Sequence, residues 1–478
     1  MNVVDAIRGQ AARQGSWPAL ISDEGGDSRV VSYAELVARM DAHAEVLRRG
    51  SVAAGDRCGL RAPQGASFVE LALGILAAEG CLSPIPDDFQ GQVLSDFIER
   101  AYLEYLVEPF EGALSLTQVK EPSALQRDDE VAYRALAPAY LRFTSGTTSR
   151  RKGVLLSHES IAERLAAANR ALELGPPDRV IWLLPMAHHF VVSILLYLRS
   201  GATVLLPSGS LAGPILDFAS REGGTVLYAS PNHCKRLAGD TSKTALGSLR
   251  LAISTADGLE PEVAVAFRER FQRPLVQALG IIEVGLPVMN LASAEAKPTA
   301  LGRALPDYEV WLRAEDGKPV VSRGDPTQTG EICIRGPGML DAYLDPFVSR
   351  AELVEPDGFR TGDQGYLDAD GDLHLVGRRA NRISMSGMKF FCEEVELVLA
   401  RHPAVRECRV FGRAHPHLGE IPVAEIVVND PAPERAELMR HCRESLPSYK
   451  VPREFRVVET LSRTSSGKLR RGSQRDTR

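Results

Sequence analysis

Residues 141–154 combine hydroxyl groups, a glycine and a basic cluster in one short stretch, L-R-F-T-S-G-T-T-S-R-R-K-G-V. A backbone rich in small residues can fold closely around an anion and direct N–H groups at it, while hydroxyl groups and an ammonium donate further hydrogen bonds. The apolar residues on either side predict a strand before the stretch and another after it. These residue types predict a phosphate-binding loop built from Thr144, Ser145, Gly146, Thr147, Thr148 and Lys152.

Two interpretations of this loop are open from its own residues. The order G-x-x-x-x-G-K-[ST] of a Walker A loop is absent, so the stretch is not that kind of phosphate site. Clusters of serine, threonine and glycine also form polar hairpin turns that hold no ligand. Other parts of the chain are needed to separate phosphate binding from a simple turn.

The loop resembles the T-S-G-T-T-G-x-P-K-G signature of the adenylate-forming superfamily, which includes acyl-CoA synthetases, amino-acid adenylation domains and firefly luciferase. Ser149 stands where the family has glycine, and Arg151 stands where it has proline. Both should reshape the loop rather than abolish it, because Ser149 is still small and Arg151 only removes a constraint on φ. The resemblance implies that the loop binds the β- and γ-phosphates of ATP, with Thr147 as a magnesium ligand. It recurs in the family's order as far as Lys468 and so covers most of the chain.

A histidine-containing segment, residues 184–190, resembles the family's P-L-F-H motif, which lines the acyl pocket and gates the thiol acceptor. Amino-acid-activating members carry an aspartate at the position of His188 to hold the substrate ammonium. A histidine there indicates a plain carboxylic acid rather than an α-amino acid, and it assigns His188 to the catalytic site. The structural alternative is a histidine packed at the end of a strand.

Residues 254–259, S-T-A-D-G-L, fall where the family has a loop whose backbone lies against adenine. The match assigns Thr255, Ala256 and Asp257 to nucleotide binding. It is weak by itself and depends on its position between the neighbouring motifs.

Residues 277–283, Q-A-L-G-I-I-E, fall on the family's Q-x-Y-G-x-T-E. Glu283 is expected to bind Mg²⁺, as a carboxylate beside a triphosphate does directly or through water. Gly280 is retained, but Leu279 replaces the tyrosine that stacks on adenine. Ile282 replaces the threonine that binds the α-phosphate, and its side chain cannot donate a hydrogen bond. A strand followed by a tight turn would explain the apolar residues but not Glu283.

The segment F-R-T-G-D at residues 359–363 resembles the family's Y-x-T-G-D. The resemblance implies that Asp363 holds the ribose hydroxyls and that Arg378 also contacts the ribose. The hinge position that follows, commonly aspartate or lysine, is Ala380. For T-G-D alone, an aspartate that caps its own turn is the rival interpretation.

The last motif is R-T-S-S-G-K at residues 463–468, a close match that makes Lys468 the catalytic lysine of adenylation. Its ammonium can bridge the attacking carboxylate and the α-phosphate, offsetting charge that builds in the transition state. The alternative is an exposed lysine on a basic tail. The upstream motifs, all in order, favour the catalytic role.

Periodicity predicts the elements that position these residues. Strands interleaved with helices imply an α/β layered fold with parallel strands. A strand-rich stretch covers residues 304–376, and a helix–strand–strand–helix pattern covers 393–450. We therefore expect a large N-terminal domain of layered α/β subdomains plus a small β-rich subdomain, with a small mobile α+β C-terminal domain. The boundary is placed between 1–379, which binds ATP and carboxylate, and 380–478, which carries the catalytic lysine. Particular expectations are helices at 33–47, 68–78 and 159–172, the first capped by Ser32 and the last by Ser157, and strands at 81–86, 180–184, 202–206, 225–229 and 249–254.

Composition bounds the function. The chain has 478 residues, 44% of them hydrophobic and 25% charged, with a net charge of -6, which gives no indication of nucleic-acid binding. The seven cysteines are scattered without metal-type or redox-type pairs, a pattern that fits a reducing cytosol. No apolar run reaches membrane-spanning length. A cytoplasmic protein without a membrane span is expected, and its oligomeric state is open.

The function implied is ATP-dependent activation of a non-amino carboxylic acid to an acyl-adenylate, followed by transfer to CoA or to the phosphopantetheine thiol of an acyl- or peptidyl-carrier protein. The cofactors implied are ATP and Mg²⁺. Two alternatives are an amide-forming synthetase and a degenerate fold that acts as a binding module. The binding module is favoured by Leu279, Ile282 and Ala380. The acid itself is not identified; the family positions that should line its pocket are residues 191–195, 228–232 and 280–285.

Overall fold

The structure is a computed structural model that describes residues 2–111, 113–120, 124–144, 152–321, 323–354, 358–378, 381–385, 388–463 and 469. The chain divides into two compact units. The first contains the residues up to Thr144 together with Lys152–Glu309 and Ile334–Phe359, and the second contains Val310–Cys333 and the residues from Arg360 onward.

The regular elements are as follows. The helices are α1 (Asp5–Gln14), α2 (Tyr33–Arg49), α3 (Ala66–Ala77), α4 (Gly91–Arg100), α5 (Arg127–Ala135), α6 (His158–Leu172), α7 (Met186–His189), α8 (Ile194–Ser200), α9 (Ala212–Arg221), α10 (Pro231–Ala238), α11 (Pro261–Phe271), α12 (Arg350–Val354), α13 (Cys392–Leu399) and α14 (Arg435–Ser445). The strands are β1 (Pro18–Glu24), β2 (Asp27–Ser32), β3 (Arg57–Leu60), β4 (Cys81–Pro84), β5 (Tyr105–Phe110), β6 (Ala113–Gln118), β7 (Pro138–Phe143), β8 (Gly153–Ser157), β9 (Arg179–Trp182), β10 (Thr203–Leu206), β11 (Val226–Ala229), β12 (Leu251–Ser254), β13 (Leu275–Ile281), β14 (Gly285–Met289), β15 (Arg303–Ala304), β16 (Glu309–Arg313), β17 (Gly330–Arg335), β18 (Ala342–Tyr343), β19 (Val348–Ser349), β20 (Phe359–Leu367), β21 (Leu373–Arg378), β22 (Arg382–Met385), β23 (Met388–Phe391), β24 (Val405–His415), β25 (Gly419–Val428) and β26 (Glu454–Val457).

Two sheets form the first unit. One has the order β15-β14-β13-β12-β11-β9-β10-β1-β2, and the other has the order β19-β18-β8-β7-β4-β3-β5-β6. The strands from β1 through β13 in the first order are parallel. Every residue of β10 and β11 is buried, as expected when helices cover both faces of a parallel sheet. The predicted layered α/β architecture is confirmed.

Local sequence explains where two predicted helices begin. The Ser32 hydroxyl accepts a hydrogen bond from the backbone N–H of Glu35, and the Glu35 carboxylate accepts from the backbone N–H of Ser32, which is a capping box. Ser157 caps α6 by accepting from the backbone N–H of Ser160 at 3.1 Å. These bonds satisfy N–H groups that the first helical turn leaves without partners. Both predicted N-caps are confirmed.

The second unit contains two further sheets. One has the order β16-β17-β20-β21, and the other has the order β23-β22-β25-β24, with β26 paired to β25. Helices α13 and α14 contribute Val395, Leu399, Leu438 and Cys442 to the apolar core on the latter sheet. The predicted helix–strand–strand–helix pattern is confirmed. The strand-rich stretch is also confirmed, but its strands are shared between sheets, because β18 pairs with β8 in the first unit and β19 pairs with β18.

Within the ranges that the structure describes, no helix combines the length and the apolar character needed to cross a membrane.

Candidate active site

The predicted motif segments of the first unit follow the ends of parallel strands. Strands β9, β11, β12 and β13 lie in one sheet, and Ser254, at the end of β12, is the register partner of Gln277 within β13. Residues 184–190 come shortly after β9, residues 254–259 begin at the last residue of β12, and residues 277–283 comprise the end of β13 and the turn after it. The three segments therefore lie at the same edge of this sheet. That edge, at the carboxyl ends of the strands, is where α/β proteins bind ligands.

The two ends of the predicted phosphate loop are held together. The strands on either side, β7 and β8, pair in antiparallel fashion as expected. The Thr144 backbone N–H donates to the Lys152 carbonyl at 2.9 Å, and the Lys152 N–H donates to the Thr144 hydroxyl at 3.4 Å. The other predicted loop residues lie outside the described part of the chain: Ser145, Gly146, Thr147 and Thr148.

Glu283 and Lys152 meet at one tyrosine that the sequence did not single out. The Tyr343 hydroxyl donates to Glu283 Oε1 at 3.2 Å, and Lys152 Nζ lies 4.5 Å from the centroid of the Tyr343 ring. Glu283 is only 9% exposed. Burial raises the pKa of Glu283, while the Tyr343 hydrogen bond and the charges of Arg142 and Lys152 oppose that shift.

Arg142 lies in β7, just before the loop, and positions the histidine segment. Its Nη1 donates to the backbone carbonyl of His188, which lies half-buried in α7. Its Nε is buried and has no hydrogen-bond partner among the described residues. Burial lowers the pKa of Arg142, and the Tyr140 and Glu283 side chains oppose this. An arginine between Leu141 and Phe143, in a strand that is otherwise apolar, was the signal in the sequence for such a role.

A second arginine fixes the turn that carries Glu283. Arg164 is 2% exposed, and its Nε and Nη1 donate to the carbonyls of Gly338 at 2.7 Å and Ile282 at 2.9 Å. Burial lowers the pKa of Arg164 to about 10. The Leu340 N–H donates to the Glu283 carbonyl at 2.6 Å. The backbone of the predicted magnesium motif is therefore anchored on both sides of the carboxylate.

Two side chains of the predicted adenine loop form hydrogen bonds with backbone groups of the protein. The Thr255 hydroxyl donates to the Ala278 carbonyl at 3.1 Å, and Asp257 Oδ1 accepts from the Gly258 N–H at 2.9 Å. Ala256 has a φ of 76°, in the left-handed region that non-glycine residues enter rarely. With these side chains occupied, the loop offers mainly its backbone to a ligand.

Leu279 and Gly280 lie near the end of β13, beside this loop. Leu279 is half-buried and Gly280 is exposed. A Cβ added at Gly280 would lie 3.7 Å from the Thr255 hydroxyl oxygen, an ordinary contact distance. The structure thus brings the two predicted nucleotide segments next to each other.

In the second unit, Asp363 and Arg378 are paired. Arg378 Nε donates to Asp363 Oδ1 at 3.0 Å. The Thr361 hydroxyl donates to the Ile332 carbonyl at 2.9 Å and accepts from the Asp363 N–H at 3.0 Å. Thr361 therefore fixes the backbone that carries Asp363. Two predicted residues of this part, Ala380 and Lys468, lie outside the described ranges.

Comparisons with known proteins agree with this arrangement. The family described as AMP-binding enzyme matches residues 7–344, and its C-terminal domain matches residues 394–468. The sulfoacetate–CoA ligase of Cupriavidus necator is 33% identical over 70% of this chain and 66% of that protein. The 2-succinylbenzoate–CoA ligase of Bacillus subtilis is 27% identical over 95% of this chain and 94% of that protein. The structure of the Bacillus subtilis o-succinylbenzoate CoA synthetase with its acyl-adenylate intermediate has a TM-score of 0.84 and 26% identity, covering 99% of this chain and 98% of that one.

The fold, the motif segments at one sheet edge and these matches define an AMP-forming acid–thiol ligase. The chain belongs to the AMP-binding enzyme family. Its reaction uses ATP and Mg²⁺ to convert a carboxylic acid into an acyl-adenylate with release of pyrophosphate, and then transfers the acyl group to CoA.

Proposed function

We propose that the residues predicted from the sequence carry the adenylation step. An oxygen of the substrate carboxylate attacks the α-phosphorus of ATP, and the bond from that phosphorus to the bridging oxygen breaks as pyrophosphate leaves with the electron pair. The observation that carries this proposal is the group formed by Lys152, Tyr343 and Glu283 at the base of the phosphate loop. Such a step depends on alignment and on neutralised charge. Lys468 bridges the attacking and α-phosphate oxygens in the transition state.

Glu283 fits a magnesium ligand. Magnesium takes hard oxygen ligands and is commonly held by one or two carboxylates together with substrate phosphates. The Glu283 carboxylate is oriented by Tyr343 at 3.2 Å, and its backbone is anchored by Leu340. Thr147 is the second proposed ligand. A bound Mg²⁺ would supply positive charge to the phosphates, and Lys152 contributes a fixed charge from the protein.

The ribose and the adenine are assigned to separate sets of residues. We assign the ribose hydroxyls to Asp363 and Arg378, whose ion pair orients the carboxylate. The adenine is assigned to the backbone of residues 255–257, since the Thr255 side chain bonds to the Ala278 carbonyl and the Asp257 side chain bonds to the Gly258 N–H. Leu279 covers one face of the base, and Gly280 and Ile282 approach the α-phosphate.

The second half-reaction needs a thiol. The thiol loses its proton to solvent, and the resulting thiolate attacks the acyl carbon. The bond from that carbon to the phosphate oxygen breaks, and AMP leaves with the electron pair. We propose that residues 1–379 and 380–478 act as two domains that alternate about Ala380, and that His188 gates the thiol. A carrier-protein phosphopantetheine arm is an additional acceptor beside CoA. A cytoplasmic location suits these substrates and the scattered cysteines.

For the acid, we propose an aryl or short functionalised carboxylic acid. Among the expected pocket residues, Tyr228 is 5% exposed and stacks on Trp182 at 5.7 Å with a 9° interplanar angle. Tyr197 meets both rings edge-on. Aromatic walls favour planar or compact groups over a long flexible chain. The sulfoacetate and 2-succinylbenzoate ligases act on compact acids that carry a second acidic or carbonyl group.

ATP–pyrophosphate exchange over aryl, short functionalised and long-chain acids tests this proposal. We expect exchange with a member of the first two classes and none with long-chain acids. Exchange restricted to long-chain acids would contradict the assigned acid class. With the active acid, an amide formed from an added amine in place of a CoA thioester would favour the amide-forming alternative. An enzyme that binds ATP but shows no exchange with any acid would favour the binding module.

A further inference from the structure

Tyr343 lies between two parts of the site that the sequence keeps far apart. It belongs to β18, where it is the register partner of Val154 in β8, two residues after Lys152. It is 5% exposed. No motif used in assigning nucleotide or metal contacts includes this residue.

The backbone around Tyr343 is tied at both ends to these two parts. At one end, the Leu340 N–H donates to the Glu283 carbonyl at 2.6 Å. At the other end, the Leu344 N–H donates to the Gly153 carbonyl at 2.8 Å, directly after Lys152. Residues 340–344 therefore span from the magnesium motif to the end of the phosphate loop.

The Tyr343 side chain also contacts one group in each of these two parts. Its hydroxyl donates to Glu283 Oε1 at 3.2 Å, and the face of its ring lies 4.5 Å from Lys152 Nζ. An ammonium within about 6 Å of a ring centroid is attracted by the negative face of the ring. The hydrogen bond fixes a carboxylate, and the ring contact fixes a cation.

We propose that Tyr343 is a positioning residue for adenylation, whose hydroxyl orients the Glu283 carboxylate for Mg²⁺ and whose ring holds the Lys152 ammonium for the triphosphate. The proposal rests on the roles assigned to Glu283 and Lys152 in the proposed function. One side chain thus acts on two ligands: its hydroxyl acts on Mg²⁺ through Glu283, and its ring acts on the triphosphate through Lys152. Removing the hydroxyl and removing the ring must therefore have different consequences.

The test is calorimetric binding of ATP, with no acid present, in excess MgCl₂ and in EDTA. Tyr343→Phe keeps the ring, so ATP binding in EDTA stays at the wild-type value while the gain in affinity from Mg²⁺ falls, by roughly threefold to tenfold for one hydrogen bond. Tyr343→Leu removes both the hydroxyl and the aromatic ring. It therefore also weakens ATP binding in EDTA, by about threefold or more. Thermal unfolding of each variant shows that it is folded.

Two results would overturn the proposal: wild-type binding of Tyr343→Phe in both conditions, or equal losses for Tyr343→Phe and Tyr343→Leu in both. If Tyr343→Leu does not fold, Lys152→Met is used in its place, because the Lys152 side chain is exposed and its replacement should not disturb folding. The Lys152→Met variant must bind ATP more weakly in EDTA and keep the gain in affinity from Mg²⁺. A Glu283→Gln variant separates the positioning role of Tyr343 from the metal-binding role of Glu283. Loss of the Mg²⁺ gain in Glu283→Gln but not in Tyr343→Phe refutes the positioning role alone, whereas an unchanged gain in Glu283→Gln refutes the assigned metal role as well.

Discussion

Asp363 and Arg378 face each other across an antiparallel strand pair. They are register partners in β20 and β21, and Arg378 Nε donates to Asp363 Oδ1 at 3.0 Å. The Asp363 side chain is 7% exposed, while half of the arginine side chain is exposed. A charge-assisted bond of this kind fixes the orientation of a carboxylate, which the proposed contact with two ribose hydroxyls requires.

Replacing Asp363 by asparagine should weaken nucleotide binding. The amide keeps the shape but loses the charge and one acceptor, so we expect ATP affinity to fall by roughly tenfold to a hundredfold, the range for a hydrogen bond to a charged group. The measurement is calorimetric ATP binding. Glu331→Gln is the matched control, because Glu331 is a buried carboxylate in the same sheet that pairs with Arg360. Equal losses in both variants would show a general effect on the sheet and contradict the ribose role.

Restoring threonine at position 282 should strengthen nucleotide binding. The Ile282 carbonyl is held by Arg164 at 2.9 Å, so Ile282→Thr changes the side chain while the backbone stays anchored. One added hydrogen bond to the α-phosphate is worth up to about 1.5 kcal/mol. Ile282→Val, which is branched alike but has no hydroxyl, should bind ATP as the wild type does. Equal or weaker binding by the threonine variant would count against the correspondence assigned to residues 277–283.

Removing the proposed catalytic lysine should separate binding from chemistry. Lys468 acts mainly in the transition state, so Lys468→Ala should lose adenylate formation by at least about a hundredfold and keep nearly normal ATP affinity. Single-turnover yield of adenylate and ATP binding are measured side by side. Lys389→Ala removes another lysine of the same unit, one that pairs with Glu315 at 3.0 Å, and should leave the yield unchanged. An undiminished yield in Lys468→Ala would refute the assignment.

The stability of the protein should depend on pH through His158. Its Nδ1 accepts from the Val3 N–H at 3.3 Å, and its Nε2 is buried with no hydrogen-bond partner among the described residues. Burial lowers the pKa of His158 from 6.5 to about 4. Below pH 6.5 His158 binds a proton in the unfolded chain but stays neutral in the native state. The free energy of unfolding therefore falls as the pH drops from 6.5 to about 4, by up to about 3 kcal/mol.

Denaturant unfolding at pH 7.0, 5.5 and 4.5 measures this effect. His158→Gln removes the titrating group, so its free energy of unfolding should fall less across the same range. An identical decline in the wild type and in the variant would assign the pH dependence to other groups.

Most of the fold could be predicted from local sequence. Ser32 and Ser157 begin their helices because each has a backbone N–H three residues ahead to accept from, and such signals need no tertiary information. The buried strands β10 and β11 read as continuous apolar runs for the same local reason. The sharing of strands between sheets was not predictable, since β18 pairs with β8 across a long separation in the chain.

The residues of the site also divide into those that local sequence predicts and those that it does not. Glu283 and Asp363 stand in recognisable motifs, so both could be predicted as site residues. The parts played by Arg142, Arg164 and Tyr343 depend on contacts with distant segments, such as Arg142 with His188. Pairings of this kind arise from tertiary packing, and no local spacing encodes them.

The most direct test of the central claim is the product balance of a complete reaction. The enzyme is incubated with ATP, Mg²⁺, CoA and the acid that supports pyrophosphate exchange, and AMP, pyrophosphate and thioester are quantified together. An AMP-forming acid–thiol ligase must yield one AMP and one pyrophosphate for each acyl-CoA formed. ADP and inorganic phosphate as the nucleotide products, or AMP without any thioester, would contradict it.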